Sequence, residues 1–405
     1  MLTFYFGAKE NLPGGIQTLI LNIASGYNKT NQQIKLIASP EGFVYKQAVK
    51  RNLRFVFIDM DGDYKEKLTG DDIVVCFGTL EMQLRLFSGT GVRIFYWSVF
   101  PDVILDTFQI RLPLRKEIYS KNNLLSKFLT RKLARQLAKA SAAYFMDGSH
   151  LIAMEKAGLD HIFTKKNLLP IPISIDADIT ADAIKSVSGD TLNLAYIGRV
   201  DDWKIHPFVR LVKDLKASKS GKKVCLYLIS ENGQAYLEFL KKEGVDPGSL
   251  TIVLKNDLSG EQLTSFLQKK IHLVFAMGTS LLEACKVYVP AVITDPSYGP
   301  LPDNYTYRFV FNEKAFCLGL PTWLFTNSEG YSLLELFKHI LENEENYRVA
   351  AIKSFEYALY NHEVSNWLPG FIKAVDNSDM KISALGWAHR LFKRKQLLYR
   401  IISLR

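Results

Sequence analysis

The sequence predicts an α/β protein built as two doubly wound domains, each a mostly parallel sheet with helices on both faces. Three observations carry that prediction. Short apolar runs alternate with helix-patterned segments along most of the chain. The runs are nearly continuous in Val, Ile, Leu, Phe and Tyr, as in parallel strands covered on both faces. The chain has 405 residues, where one domain takes ~100–200.

In the first half the strand-like runs are LTFYFG, IKLIASP, LRFVFID, DIVVCFG, VRIFYWSVF and AAYFMDGS. A helix is expected over 16–27. In the second half they are TLNLAYIG, KVCLYLIS, LTIVLKN, IHLVFAMG and VPAVITD, with helices expected over 207–218, 234–243, 260–269 and 280–285. Beyond YRFVFNEKAFCLGLP the chain turns helical, over 332–342 and 345–360. NLLPIPISIDADIT, with its two prolines and its polar end, marks the crossing between the two series. This gives domains at 1–172 and 173–375 and a separate basic tail at 376–405. No internal repeat is visible.

Composition bounds the function classes. The chain is 48% hydrophobic and 23% charged, enough apolar residues for two cores and too many for a disordered chain. Its four cysteines, Cys76, Cys225, Cys285 and Cys317, form no CxxC pair. They read as reduced, packed thiols with no metal site. No signal-like apolar segment follows the first strand, and no uncharged apolar run reaches ~18 residues, so a cytoplasmic protein without a spanning helix is expected.

The net charge of +10 is uneven. Residues 111–139 hold nine Lys/Arg against one Glu, and residues 381–405 hold seven with no acid. In 124–140, Leu125, Leu129, Leu133 and Leu137 alternate with Lys127, Arg131, Arg135 and Lys139 at an offset of two residues. On a helix that offset is about 200°, so leucines and cations take opposite faces. The cations either stay in water or meet an anionic membrane surface. The tail, with Trp387, Leu391, Leu398 and Ile402 among its cations, either packs on the first domain or anchors at a membrane interface. Membrane contact is the expectation. No zinc-finger, RRM or KH motif is present, so nucleic acid is not expected as partner.

Three loops carry candidate chemistry. Gly278 ends one strand, and Thr279 and Ser280 are good caps for the helix that follows, with Glu283 about a turn in. In an open parallel sheet, ligands bind outside the carboxyl ends of strands, where a glycine and a helix start suit a phosphate. AYIGRVDDWK ends a strand at Gly198 and then offers Arg199 and Lys204, two cations that suit a diphosphate. Asp201 and Asp202 stand beside them and would equally pair with them. KENLPGGIQTLI sets Gly14 and Gly15 before the first helix; it is neither a GxGxxG fingerprint nor a P-loop. Taken singly, each also reads as an ordinary turn.

In this order the three resemble the retaining GT-B glycosyltransferases of the family 4 group, whose members include enzymes of surface polysaccharide and O-antigen synthesis. Their pattern is a Gly-Gly loop after the first strand, a GR…K loop opening the second domain, and a strand–loop–helix ending in LEA…P. Here these are Gly14–Gly15, Gly198–Arg199 with Lys204, and LLEACKVYVPAVITD at 281–295. The resemblance implies two Rossmann-like domains facing a central cleft and a UDP- or GDP-linked sugar as substrate, with no separate cofactor and no metal. Arg199 and Lys204 would be the catalytic cations, holding the diphosphate. Gly14, Gly15, Gly198, Gly278, Thr279 and Ser280 would line the donor, and Glu283 would bind its ribose. The acceptor would be a glycan, lipid-linked as in lipopolysaccharide synthesis, met by a peripheral enzyme on the inner face of the membrane.

Two positions depart from the family pattern. Its members often carry an acid eight residues before the LEA glutamate, where this chain has Phe275. They often place a histidine near the transferred sugar, where YWSVFPD has Phe100. Ser98, Asp102 and His150 are the candidates left for the acceptor or sugar. The alternative reading is a catalytically impaired, glycosyltransferase-like protein that binds a glycan or a partner. A sugar-nucleotide epimerase of the same fold would need paired acids or a histidine in the cleft, and no convincing pair is seen.

Overall fold

The computed structural model describes residues 1–6, 14–101, 103–108, 124–176, 178–218, 221–248, 250–256, 258–324, 329–340 and 343–403. It divides into two compact units, Met1–Pro172 with Val364–Arg405, and Ile173–Glu363.

The first unit runs β1 (Leu2–Phe6), α1 (Gly15–Lys29), β2 (Ile34–Ala38), α2 (Phe43–Lys50), β3 (Phe55–Asp59), β4 (Ile73–Cys76), α3 (Leu80–Phe87), β5 (Arg93–Ser98), α4 (Val103–Asp106), α5 (Leu124–Lys139), β6 (Ala143–Phe145) and α6 (Ser149–Lys156). The strands pair in parallel in the order β3-β2-β1-β4-β5-β6. Successive strand side chains point to opposite faces, and the burial follows. Val74, Cys76, Ile94 and Tyr96 enter one core with α3 and α5 residues. Val75, Phe95 and Trp97 enter the other, beneath α1. A strand serving two cores has no polar side, which is why these runs read as continuously apolar.

The second unit runs β7 (Thr191–Ile197), α7 (Asp202–Ala217), β8 (Lys223–Ile229), α8 (Gly233–Lys242), β9 (Thr251–Lys255), α9 (Gly260–Lys270), β10 (Leu273–Ala276), α10 (Thr279–Cys285), β11 (Ala291–Ile293), β12 (Arg308–Phe309), α11 (Leu333–Ile340) and α12 (Glu344–His362). The sheet order is β12-β11-β10-β7-β8-β9, parallel except for β12. It too serves two cores. Leu194, Tyr196, Phe275 and Val292 face one, and Ala195, Ile197, Val274, Ala276 and Ile293 face the other.

Three differences from the sequence reading bear on the architecture. The helix expected from 207 starts at Asp202 and carries Pro207 inside it. β12 was not foreseen. The second domain was read as running to 375, with 376–405 as a separate tail; in the structure the second unit ends at Glu363, and the rest belongs to the first. There α13 (Val364–Asp376) lies along α1. Trp367 stacks on Trp97 at 5.5 Å and on Phe371 at 4.6 Å. Next, Met380 accepts the Ile94 N–H at 2.8 Å and Ile382 donates to Val92 at 3.1 Å, beside the start of β5. Then α14 (Gly386–Ser403) packs through Trp387 and Phe392 on Phe108, at 5.6 and 5.3 Å. The physical reason is coverage: without these helices both faces of the first sheet would lack part of their lid.

Two outcomes follow. Trp367→Ala removes a ring that is 6% exposed and should cost roughly 3–5 kcal/mol in urea unfolding monitored at the first unit. His272, just before β10, accepts the Asn193 N–H on Nδ1 at 2.9 Å. Burial first, and then Lys185, Lys222 and Lys270, push its pKa down to about 4. The unfolded chain, with an ordinary histidine near 6.5, therefore takes up a proton that the folded one refuses. Stability should fall as pH drops from about 6.5 to about 4, and His272→Gln should flatten that part of a pH series of melting temperatures.

Candidate functional site

In the second unit the chain leaves β7 toward β8 and β9, then crosses back to β10 and β11 on the other side. The winding reverses between β7 and β10, the place where open α/β sheets leave a crevice at their strand ends. The register pairs Ile197 with Ala276, so the two strands end level. Gly198 follows one end, and Met277 and Gly278 follow the other. Two motifs far apart in the sequence thus become neighbours through one strand pair.

At the first motif the backbone is fixed by two buried tyrosines that sequence reasoning missed. Tyr196 donates its hydroxyl to the Lys204 carbonyl at 2.7 Å, and Tyr236 donates to the Arg199 carbonyl at 2.8 Å. Burial holds both phenols well above their ordinary pKa, so both stay donors. A Cβ on Gly198 would come within 3.3 Å of both the Tyr236 hydroxyl and the Lys204 stem, so only glycine leaves them room without adjustment. The available signal was a tyrosine two residues before the Gly-Arg pair.

Arg199 is exposed. Lys204 sits in the first turn of α7, not on the loop expected for it, and its side chain is 14% exposed. Its Nζ lies 3.7 Å from Asp201 Oδ2, an ion pair too long for a hydrogen bond. Burial lowers its pKa, Asp201 opposes that, and Arg199 adds to it. A desolvated ammonium with one loose counter-charge is well placed to receive an anion.

At the second motif Gly278 has φ +64° and ψ −143°, a backbone conformation that disfavours any side chain. Its N–H donates to the Leu318 carbonyl at 2.7 Å. Gly278 itself caps the seven-residue α10, without any side-chain cap. Thr279 and Ser280, expected as caps, are instead its first two residues. Glu283 faces Lys286 one turn on, at 2.5 Å. Phe275 is wholly buried and meets the Tyr307 ring edge-on at 5.6 Å. The position was read as one where relatives face an acid toward the donor; in this chain it is a core position.

A further buried network, unforeseen from the sequence, holds the neighbouring strand end. Asp295 follows β11 and accepts from Arg308 Nη1 and Nη2 at 3.0 and 2.8 Å and from the Leu320 N–H at 2.8 Å. Arg308 also donates Nε to Glu313. Burial raises the Glu313 pKa even against the pull of Arg308. The network pins the segment whose Leu318 carbonyl takes the Gly278 N–H. The sequence signal was an aspartate closing VITD.

The first unit places its candidates separately. Gly14 is extended and precedes α1, its carbonyl accepting from Thr18 at 3.0 Å; Gly15 opens the helix with free space at its Cα. Residues 7–13 of that loop lie outside the described residues, as does Asp102. Ser98 is buried and donates to the Phe100 carbonyl at 2.8 Å. His150 is fully buried, its Nδ1 3.3 Å from Asp147 Oδ1, which also accepts from the Ser149 N–H at 2.9 Å. Neither Ser98 nor His150 presents its side chain to solvent.

Neither a protein-family model nor a curated protein sequence matches this chain. Solved structures do resemble it. HepE of Anabaena, crystallised with UDP, aligns over 93% of this chain and 100% of its own, at 12% identity and TM-score 0.55. A glycosyltransferase from Rickettsia africae aligns over 93% and 97%, at 9% identity and TM-score 0.54. The lipopolysaccharide outer core galactosyltransferase WaaB aligns over 93% and 99%, at 13% identity and TM-score 0.52. The fold is that of GT-B glycosyltransferases. At these identities the likeness speaks for the fold alone.

Asp295→Asn would leave Arg308 buried without its main partner. It should cost roughly 3–5 kcal/mol in chemical unfolding of the second unit, and the loss should exceed that of Asp303→Asn, whose carboxylate is exposed where it pairs with Arg210.

Proposed function

We propose that the protein is a retaining GT-B glycosyltransferase of the family 4 kind, transferring a sugar from a nucleotide-diphosphate donor to a glycan. The observation that carries the reading is the meeting of Gly198–Arg199–Lys204 with Gly278 and Glu283 at two level strand ends. Supporting it, fold neighbours have been crystallised with UDP and UDP-glucose, so a UDP-sugar is the first donor to try.

In this reading Arg199 and Lys204 hold the diphosphate and stabilise the charge that grows on it as the sugar leaves. Fixed cations do this with little reorganisation when their backbone is already held, here by Tyr236 and Tyr196. They take the place of a metal ion. Glu283 accepts from the ribose hydroxyls, sharing itself with Lys286. The transferred sugar keeps its anomeric configuration because the leaving oxygen departs on the face the acceptor approaches.

The acceptor is proposed to be lipid-linked, as in surface polysaccharide synthesis, and the enzyme peripheral on the inner face of the membrane. Among the described residues no helix is long and apolar enough to cross a bilayer. The support for surface contact moves from the tail to α5. Leu133 and Leu137 are buried as expected, but Leu125 and Phe128 are 60% and 64% exposed, beside exposed Lys127, Arg131 and Arg135. In α14 the rings of Trp387 and Phe392 are occupied by Phe108.

A second reading, a glycan- or partner-binding protein without transfer, is favoured by the Glu283–Lys286 pair, which occupies the proposed ribose acid. Turnover separates the two. UDP-glucose, UDP-galactose and GDP-mannose are offered in a thermal-shift series, followed by transfer assays with the ligand that binds. Wild type should be stabilised by its donor, and Arg199→Ala and Lys204→Ala should each lower turnover about 100-fold. Transfer undiminished in both variants would sink the assignment; donor binding with no transfer to any acceptor would establish the second reading.

A further inference from the structure

One exposed feature beside these strand ends has no part in the donor chemistry. Tyr298, on the loop after β11, is 62% exposed. Its ring lies against that of Trp323, with centroids 4.8 Å apart and planes inclined at 35°. Exposing a large ring costs free energy, yet Tyr298 is held at the surface against the half-buried Trp323.

The holding is built from hydrogen bonds, the side-chain ones part-buried. Pro207 inside α7 has no N–H, so the carbonyl four residues earlier loses its helical donor. That carbonyl belongs to Trp203, and the Ser297 N–H donates to it at 2.8 Å. Ser297 is 4% exposed. Its hydroxyl donates to the Gly299 carbonyl at 2.7 Å and accepts from Thr322 Oγ1 at 2.9 Å. The Thr322 N–H donates to the Pro296 carbonyl at 3.0 Å. The Tyr298 loop is thereby tied on one side to the first turn of α7, one residue from Lys204. On the other it is tied to the segment carrying Trp323.

We propose that Tyr298 and Trp323 form a stacking surface for a pyranose ring of the acceptor glycan, beside the diphosphate-binding cations Arg199 and Lys204. The placing of the acceptor rests on the donor reading of those cations; the sugar binding itself does not. A pyranose offers one face of C–H groups to the electron-rich face of an aromatic ring, while its hydroxyls stay in water. The exposed Tyr298 ring, set at 35° to that of Trp323, offers apolar surface on which such a C–H face would lie.

The test is saturation-transfer NMR with neutral tetrasaccharides of glucose, galactose, mannose and N-acetylglucosamine, alongside calorimetric titration with UDP. Wild type should transfer saturation to the ring C–H protons of at least one sugar. Tyr298→Ala should weaken that binding by about fivefold or more, and Tyr298→Phe should retain it. Trp323→Leu, checked for an unchanged melting temperature, should repeat the loss. UDP affinity should change by less than about twofold in all three. Absence of sugar binding to wild type, or binding equal in Tyr298→Ala and Trp323→Leu, overturns the proposal. A loss of UDP affinity with sugar binding intact also overturns it, by placing a nucleobase on the rings. Failure of the donor reading is separate: it shows as UDP binding unaffected by Arg199→Ala, whatever Tyr298 does.

Discussion

The parallel pairing of β7 with β10 is the constraint on which the second unit depends. At β7 the winding of that sheet reverses: β8, the next strand in the chain, pairs on one side, and β10, which comes after β9, pairs on the other. The pairing fixes which loops meet. It also fixes their height, because Ile197 lies beside Ala276 and each is the last residue of its strand. A slip of one residue would turn every side chain of β10 to the wrong face. Phe275 would leave the core that it shares with Tyr196 and Tyr307, and Ala276 would be driven into space shaped for a ring. The hydrophobic pattern and the level ends are therefore one requirement.

Above that pairing lies a layer of buried polar groups that does the positioning. Tyr196 and Tyr236 each place a ring in the core and a hydroxyl on a backbone carbonyl, one in the first turn of α7 and one in the loop before it. Asp295 and Arg308 do the same for the neighbouring strand end with charges. A buried ion pair is weak evidence for stability, since desolvation consumes most of its attraction. Its use here is geometric. Arg308 uses three nitrogens on two carboxylates, and Asp295 also holds a backbone N–H of the segment that reaches Gly278. The loops at the strand ends are held by oriented bonds instead of by shape alone, which is what a site built on loops requires.

The sequence made the sheets legible because parallel strands buried on both faces leave long apolar runs with no alternative reading. It made the GR…K and LLEA loops legible as a pair through family likeness, although their adjacency is a property of strand order that no local pattern contains. What it hid has physical reasons. The helix 364–376 is apolar on one stripe, and a stripe names no partner; only the fold shows that Trp97 is beneath it. Phe275 was compared with relatives by position, whereas burial decides its role. His150 sits at a helix start and is fully buried, its ring beside that of Phe145. Tyr298 and Trp323 are far apart in sequence and come together beside the hydrogen bond between Ser297 and Thr322.

The charges at the strand ends bear on how an anion would enter. Lys204 is desolvated and held by Asp201 only loosely, at 3.7 Å. Glu283 is paired with Lys286, the residue that closes its helix, at 2.5 Å. A diphosphate arriving at Arg199 and Lys204 would therefore replace a poor counter-charge with a better one, and would not have to break a strong pair. The penalty already carried by the buried ammonium becomes part of the affinity, because the ligand relieves it. At Glu283 the balance differs: a ribose hydroxyl must share an acceptor that is already engaged, so it adds orientation more than affinity. In the proposed donor reading the two motifs would thus divide the work, the cations of α7 and its preceding loop supplying attraction and the acid of α10 supplying alignment.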